Sequence, residues 1–209
     1  MGNIETFTSF TTSNCYVVTP DNNSKICYII DLPPDVEPAL EYVKNNNLSI
    51  GGCLLTHGHF DHSLGMEKVD GEIYINLDDE FLARNPQEQL SAFTNSELEV
   101  QEYTGELNDI FTYKNENIII YSNPGHTKGS VSYEFKNLGV VFTGDFVFAE
   151  GIGRTDLYSG STSEMKESIN NIFLTFNKDL EVFPGHGNTD TVKNILNYNS
   201  YLKEFINGW

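Results

Sequence analysis

All five histidines of this 209-residue chain fall inside three short runs: Thr-His-Gly-His-Phe-Asp-His at 56–62, Pro-Gly-His-Thr at 124–127 and Pro-Gly-His-Gly at 184–187. Imidazole is the commonest side-chain ligand for zinc and related ions, so a chain that sets its whole histidine stock beside turn glycines is building one metal centre. Runs so far apart in sequence can share a centre only if the strands that lead into them end at one place. The apolar blocks fit that demand. Ile50 to Leu55 leads into the first run, Ile118 to Tyr121 precedes His126, Val140 to Thr143 leads to Asp145, and Val182-Phe183 precedes His186.

Within the first run, His57 and His59 stand two residues apart at an expected strand end, where side chains at i and i+2 point the same way. Asp61 and His62 follow and are placed to serve a second ion. Five imidazoles and two carboxylates exceed the needs of one tetrahedral ion and match two ions sharing a bridging carboxylate, for which Asp145 is the natural choice. Glycines at 58, 125, 144, 185 and 187 let the backbone turn tightly beside these donors. Such a pair of ions lowers the pKa of water from about 15.7 to roughly 7 and polarises an electrophile.

The rest of the pattern is mixed α/β. Tyr16 to Val18 and Ile26 to Ile30 flank the turn former Asp21-Asn22-Asn23-Ser24 and predict a hairpin. Val36, Leu40 and Val43 are spaced for a helix over 35–45 beginning near Pro34, with a strand over 50–55 after it. Less regular helical pieces around 78–83 and 87–93 and a short strand over 72–75 fill the middle. Strands at 118–121, 131–135 and 140–143, a helix over 164–176, a strand over 180–183 and helix from about 189 complete the chain. No linker or low-complexity stretch interrupts it, so residues 1–209 read as a single domain of two sheets with helices outside them.

Composition excludes several function classes. The net charge is −18, with arginine only at 84 and 154 and ten scattered lysines, so no basic stripe is present to neutralise a phosphate backbone. Nucleic acid is thereby set aside as a partner. No apolar run is long enough for a membrane helix and no signal peptide opens the chain. Met1-Gly2-Asn3-Ile4-Glu5-Thr6 fits the permissive pattern for acylation of Gly2, but no basic cluster supplies a second membrane signal, and the match is read as coincidence. Cys15, Cys27 and Cys53 are odd in number and lie in or beside apolar stretches, as reduced core thiols of a cytoplasmic protein would.

At these residues the chain resembles the metallo-β-lactamase-fold superfamily, and within it the small glyoxalase II-like (hydroxyacylglutathione hydrolase-like) enzymes. The family's Thr-His-x-His-x-Asp-His, Pro-Gly-His-Thr-x-Gly-Ser, Thr-Gly-Asp and Pro-Gly-His-Gly are met by Thr56 to His62, Pro124 to Ser130, Thr143 to Asp145 and Pro184 to Gly187. The resemblance implies an αββα four-layer sandwich of two mixed sheets flanked by helices. It implies two divalent ions, zinc first with iron or manganese as alternatives. His57, His59 and His126 would hold one ion, Asp61, His62 and His186 the other, and Asp145 would bridge them. Gly151 to Asp156 matches a Gly-Arg-x-Asp segment of the thioesterase and persulfide dioxygenase branches, in which Arg154 and Asp156 order the loop over the site or touch substrate.

The resemblance also has departures. Little chain follows His186, and its only cations are Lys193 and Lys203, where full-length glyoxalase II carries basic residues that grip glutathione. Lys128 stands where many relatives have proline, and is read as a loop lysine or a contact for a substrate carboxylate. Asn199-Ser200 replaces a frequent Asn-Pro and is expected to concern only the C-terminal turn.

The reading is a metal-dependent hydrolase of small-molecule thioesters such as S-lactoylglutathione, with a metal-bridging hydroxide as nucleophile and Asp61 orienting it. The first rival is a mononuclear iron oxygenase of the persulfide dioxygenase type that uses His57, His126 and Asp145. Lactone or β-lactam hydrolysis is a further alternative.

Overall fold

The computed structural model describes residues 2–93 and 100–207, and the chain divides into two compact units, Met1–Tyr113 and Lys114–Trp209. The acylation pattern at the N-terminus begins on Met1, outside the described residues.

The N-terminal unit carries a six-stranded mixed sheet: β1 (Asn3–Thr8), β2 (Asn14–Thr19), β3 (Ile26–Ile30), β4 (Ser49–Leu54), β5 (Ile73–Ile75) and β6 (Asn108–Asp109), in that spatial order. The first three strands run antiparallel, with Val17 opposite Ile29, and the last four pair in parallel. The switch of direction follows from the connections, because β3 and β4 are joined through α1 (Glu37–Asn45), the crossover that a parallel pair requires. Helix α1 starts three residues beyond Pro34 and uses Pro38 in its first turn, where a missing N–H costs nothing. Val36, Ala39 and Val43 are buried in one core with Val17, Ile29, Leu55, Met66 and Ile75. The described residues of the unit also include short helices α2 (Phe60–Ser63), α3 (Glu80–Arg84) and α4 (Pro86–Phe93), with 3₁₀ turns at Met66–Lys68, Leu77–Asp79 and Ile110–Thr112.

The C-terminal unit carries a five-stranded mixed sheet built from β7 (Ile118–Ser122), β8 (Val131–Phe135), β9 (Val140–Gly144), β10 (Glu181–Pro184) and β11 (Asp190–Thr191), in spatial order β11-β10-β9-β8-β7. Strands β9 and β10 are parallel and their crossover contains α5 (Thr162–Asn171); the other pairs are antiparallel. Ser161 caps α5 by accepting from the Glu164 amide at 3.3 Å, and Met165 and Ile169 drop into a core with Val141, Phe146, Phe173 and Val182. Helix α5 is shorter than the periodicity predicts, because Ile172 leaves helical geometry and a single 3₁₀ turn, Phe173–Thr175, follows. Helices α6 (Val192–Tyr198) and α7 (Ser200–Asn207) close the chain, with Ile195 and Leu202 in the same core. Among the described residues no helix is long and apolar enough to cross a membrane.

Candidate metal centre

The first histidine run lies beyond its strand. β4 ends at Leu54, so His57 and His59 sit on a loop and His59 is the extended N-cap residue of α2. Strand alternation therefore does not align the two imidazoles; the loop does, with their rings 4.9 Å apart and nearly perpendicular. Asp61 and His62 occupy the single turn of α2, and that turn is held from outside by Leu32, whose amide donates to the His62 carbonyl at 2.7 Å. Ligand atoms of His57 and His59, of His57 and His62, and of Asp61 and His62 lie within 4.8 Å of each other. Ser13 Oγ donates to the Asp61 carbonyl at 2.6 Å, and the Gly58 amide donates to the buried Asp79 carboxylate at 2.9 Å.

One buried carboxylate organises this half. Asp31, at the end of β3, has φ of +60° and accepts from the Thr56 amide at 2.7 Å, from Thr56 Oγ1 at 2.8 Å and from His62 Nδ1 at 2.9 Å. Aspartate tolerates left-handed backbone better than most residues, and three hydrogen bonds to its carboxylate hold it there. The tautomers of the neutral rings can then be assigned. Neutral His62 donates from Nδ1 and keeps the lone pair on Nε2. Thr56 spends its single hydroxyl proton on Asp31, so the 3.0 Å contact between Thr56 Oγ1 and His57 Nδ1 has the ring as donor, and His57 Nε2 also carries a lone pair.

In the C-terminal unit, His126 follows a Gly125 turn onto which α5 closes. A Cβ on Gly125 would lie 2.4 Å from Met165 Cα, so only glycine admits the helix that packs there. Ser168 Oγ donates to the Pro124 carbonyl at 2.7 Å and the Ser161 amide to the Gly125 carbonyl at 2.8 Å, which fastens the turn. His126 Nδ1 lies 2.8 Å from the Arg154 carbonyl, which can only accept, so this ring too presents an Nε2 lone pair. Asp145 follows β9 directly, and the Gly185 amide donates to the Gly144 carbonyl at 2.8 Å, tying the turn before His186 to the turn before Asp145.

Asp145 Oδ2 stands 3.5 Å from Nε2 of both His126 and His186. In the other unit Asp61 Oδ2 stands 3.6 Å from His62 Nε2. With neutral rings the facing nitrogen of His126 and His62 is the lone-pair nitrogen, so acceptor faces acceptor in each unit. A cation between them reconciles the contact, and nitrogen and oxygen donors of this kind suit zinc, iron or manganese. The donor set thus fits the metal the sequence implies.

The segment 151–156 braces this half. Gly153 passes so close to Asp145 that a Cβ there would lie 1.8 Å from the Asp145 carbonyl oxygen. Arg154 donates to Asp156 through both Nε and an Nη at 2.7 and 2.8 Å, and the guanidinium holds the Asp156 carboxyl down at about 2. Both side chains are more than half exposed, and Arg154 works here through its carbonyl on His126. Lys128 is exposed, and its amide donates to Ser159 Oγ at 3.3 Å. Buried Asn199 caps α7 through Oδ1 to the Leu202 amide, and its Nδ2 reaches back to the Phe148 and Gly151 carbonyls at 3.1 and 2.9 Å.

All seven expected ligands are therefore placed in two groups: His57, His59, Asp61 and His62 in the first unit, and His126, Asp145 and His186 in the second. Asp31, Thr56, Asp79 and Asn199 were not anticipated as supports. Thr56 is part of the first histidine motif, and Asp31 directly follows an apolar strand as Asp145 does; Asp79 and Asn199 carry no such local signal.

Residues 8–186 match the family model described as the metallo-beta-lactamase superfamily. The chain is 31% identical over 204 residues to the Bacillus subtilis protein named Probable metallo-hydrolase YqgX, covering 92% of this chain and 93% of that one. It is 30% identical over 197 residues to Hydroxyacylglutathione hydrolase GloC of Haemophilus influenzae, covering 90% and 92%. Among solved structures, the B3 metallo-beta-lactamase BLEG-1 superposes with a TM-score of 0.81 at 26% identity over all of both chains. TTHA1623, crystallised in a di-iron-bound form, superposes equally well at 22% identity, covering 95% of this chain and 98% of that one, a likeness of fold.

Proposed function

We propose, from the premise that the chain belongs to the metallo-β-lactamase superfamily of metal-dependent hydrolases, that it is a dinuclear thioesterase of the glyoxalase II-like kind, cleaving small S-acyl thiols such as S-lactoylglutathione. The observation that carries the reading is the facing of lone-pair nitrogen and carboxylate in both units, at His62 with Asp61 and at His126 with Asp145. The name of the Haemophilus relative supports the thioester class.

In this proposal the donors of both units serve one centre within a single domain, in keeping with a family model that runs through both. His57, His59 and His126 would hold one divalent ion and Asp61, His62 and His186 a second, with Asp145 shared between them and zinc as the leading metal. Ions so held would lower the pKa of a coordinated water and polarise the thioester carbonyl.

The chain's own residues do the remaining work. Asp61, partly exposed on the first turn of α2, orients the attacking water and accepts its proton. Asp31 and Thr56 keep the His62 and His57 rings in the tautomer that offers Nε2. Arg154 and Asp156 order the segment whose carbonyl does the same for His126. Three buried, unpaired thiols support a reducing compartment, the cytoplasm. No nucleic acid or membrane partner is invoked.

Element-resolved metal analysis of protein purified without added metal, followed by a thioester panel, tests the proposal. Two ions per chain with thioester turnover is the expected result. One iron per chain with oxygen uptake on a persulfide would replace the thioesterase by the oxygenase, and β-lactam turnover without thioester turnover would replace it by a lactamase.

A further inference from the structure

His59 stands where two duties conflict. The first amides of a helix have no partner within it, and the residue at its head commonly supplies one from its own side chain. His59 heads α2 but makes no such bond, and its imidazole is an expected metal donor. The Phe60 amide, the first of the helix, donates instead to Oε1 of Gln89 at 2.9 Å, a side chain 29 positions further along the chain.

Gln89 is buried, and it is itself anchored: its Nε2 donates to the Leu82 carbonyl of α3 at 2.7 Å and lies 3.5 Å from the Gly58 carbonyl. Ser63 Oγ donates to the His59 carbonyl at 2.9 Å. The peptide between His59 and Phe60 is thus gripped at both of its polar atoms. Helix α3 leaves that grip no slack, because a Cβ on Gly58 would lie 2.8 Å from Leu82 Cβ and 2.6 Å from the Asp79 carbonyl oxygen. His62 is held from elsewhere, by Asp31 on its ring and by the Leu32 amide on its carbonyl. Among the described residues Gln89 bonds only to backbone, so its route to the centre is the orientation of peptides.

We infer that Gln89 is a positioning residue for His59: it takes over the capping of α2 and fixes the peptide that aims the His59 imidazole. It thereby sets the affinity of the ion that His59 would hold, and leaves the ion that His62 would hold to Asp31. The inference rests on the two-ion reading and deepens it by giving the two ions different supports.

Gln89→Met keeps the length and volume of the side chain and removes its hydrogen-bonding end. Metal-free parent and variant are titrated with chelator-buffered zinc while long-range proton–nitrogen spectra follow the ring nitrogens of His59 and His62, so that each ring reports its own ion. In the variant the zinc concentration at which His59 responds is expected to rise at least about tenfold, and that for His62 less than about threefold. A change in global stability alone would move both rings together. Equal weakening of the two rings, or an unmoved His59, would overturn the inference. If metal-free Gln89→Met shows no cooperative melting, Gln89→Glu, which keeps an acceptor for the Phe60 amide, decides by the same comparison: weakening at His59 beyond that at His62 supports the inference, and equal or no weakening overturns it. If the parent takes up a single ion, the two-ion reading fails by itself, and the response of His59 in the variant still decides whether Gln89 positions that ring.

Discussion

Asp31 Oδ2 lies 2.9 Å from His62 Nδ1, and the same carboxylate accepts the hydroxyl proton of Thr56, which in turn accepts from His57 Nδ1. A single buried acid thus sets the proton positions of two imidazoles, one directly and one through a hydroxyl. Because only a nitrogen without a proton can bind an ion, Asp31 is predicted to govern metal affinity through these two rings.

Asp31→Asn tests this without disturbing the backbone, since asparagine tolerates the positive φ found there. The variant should fold as the parent does but bind metal about 10–100-fold more weakly in chelator competition. Unchanged affinity would remove Asp31 from the supporting role.

Gly153→Ala places a methyl 1.8 Å from the Asp145 carbonyl oxygen, which is backbone and has little room to yield. The expected cost is about 1–3 kcal/mol of stability together with a lower metal content, because the displaced segment carries both Asp145 and the carbonyl on His126. Thermal unfolding and metal analysis of the same sample measure the two losses. A stable variant with full metal content would show that the close approach is dispensable.

Asp61→Ala removes the base together with one of the donors to the second ion. Six other donors stay in place, so kcat should fall by about 10²-fold or more with a much smaller loss of bound metal. Undiminished turnover in a fully metallated variant would exclude Asp61 as the base.

The three cysteines should be inert in the native protein. Burial pushes the Cys27 thiol up to about 11 and Cys53 to about 12, and raises Cys15 well above its usual value. A raised folded-state value means that the stability from keeping these thiols neutral is present below the unfolded thiol range and is lost as pH rises through the folded values. Alkylation at neutral pH should therefore wait on unfolding, and stability should decline above about pH 9 as unfolded-state thiols ionise. Rapid alkylation of folded protein would contradict this.

At the acid end, Arg154 holds the Asp156 carboxyl at about 2. The contribution of this exposed pair is present above the unfolded carboxyl's value and disappears as pH falls through about 2. Carboxyl carbon chemical shifts followed against pH should show Asp156 still ionised at pH 3, and titrating higher in Arg154→Ala.

The seven candidate donors were legible in the sequence because runs such as His-Gly-His-Phe-Asp-His are local, and the apolar strands leading to Asp145 and His186 announce themselves by β-branched and aromatic residues. Strand alternation, which the spacing predicts for His57 and His59, does not align them. They lie past the end of β4, on a loop whose geometry depends on Asp31 and Asp79, residues 26 and 22 positions from His57 in sequence. Nothing in the local pattern marks Asn199 as the anchor of the Phe148–Gly151 segment, since that contact spans about fifty residues.

The sequence by itself determined which side chains can bind a metal and which strands carry them, because donor chemistry and hydrophobic periodicity are properties of neighbouring residues. Tertiary structure alone decided which nitrogen each imidazole offers. A ring's tautomer is set by the group hydrogen-bonded to its other nitrogen, and for His62 and His126 that group is Asp31 or the Arg154 carbonyl, brought there only by folding.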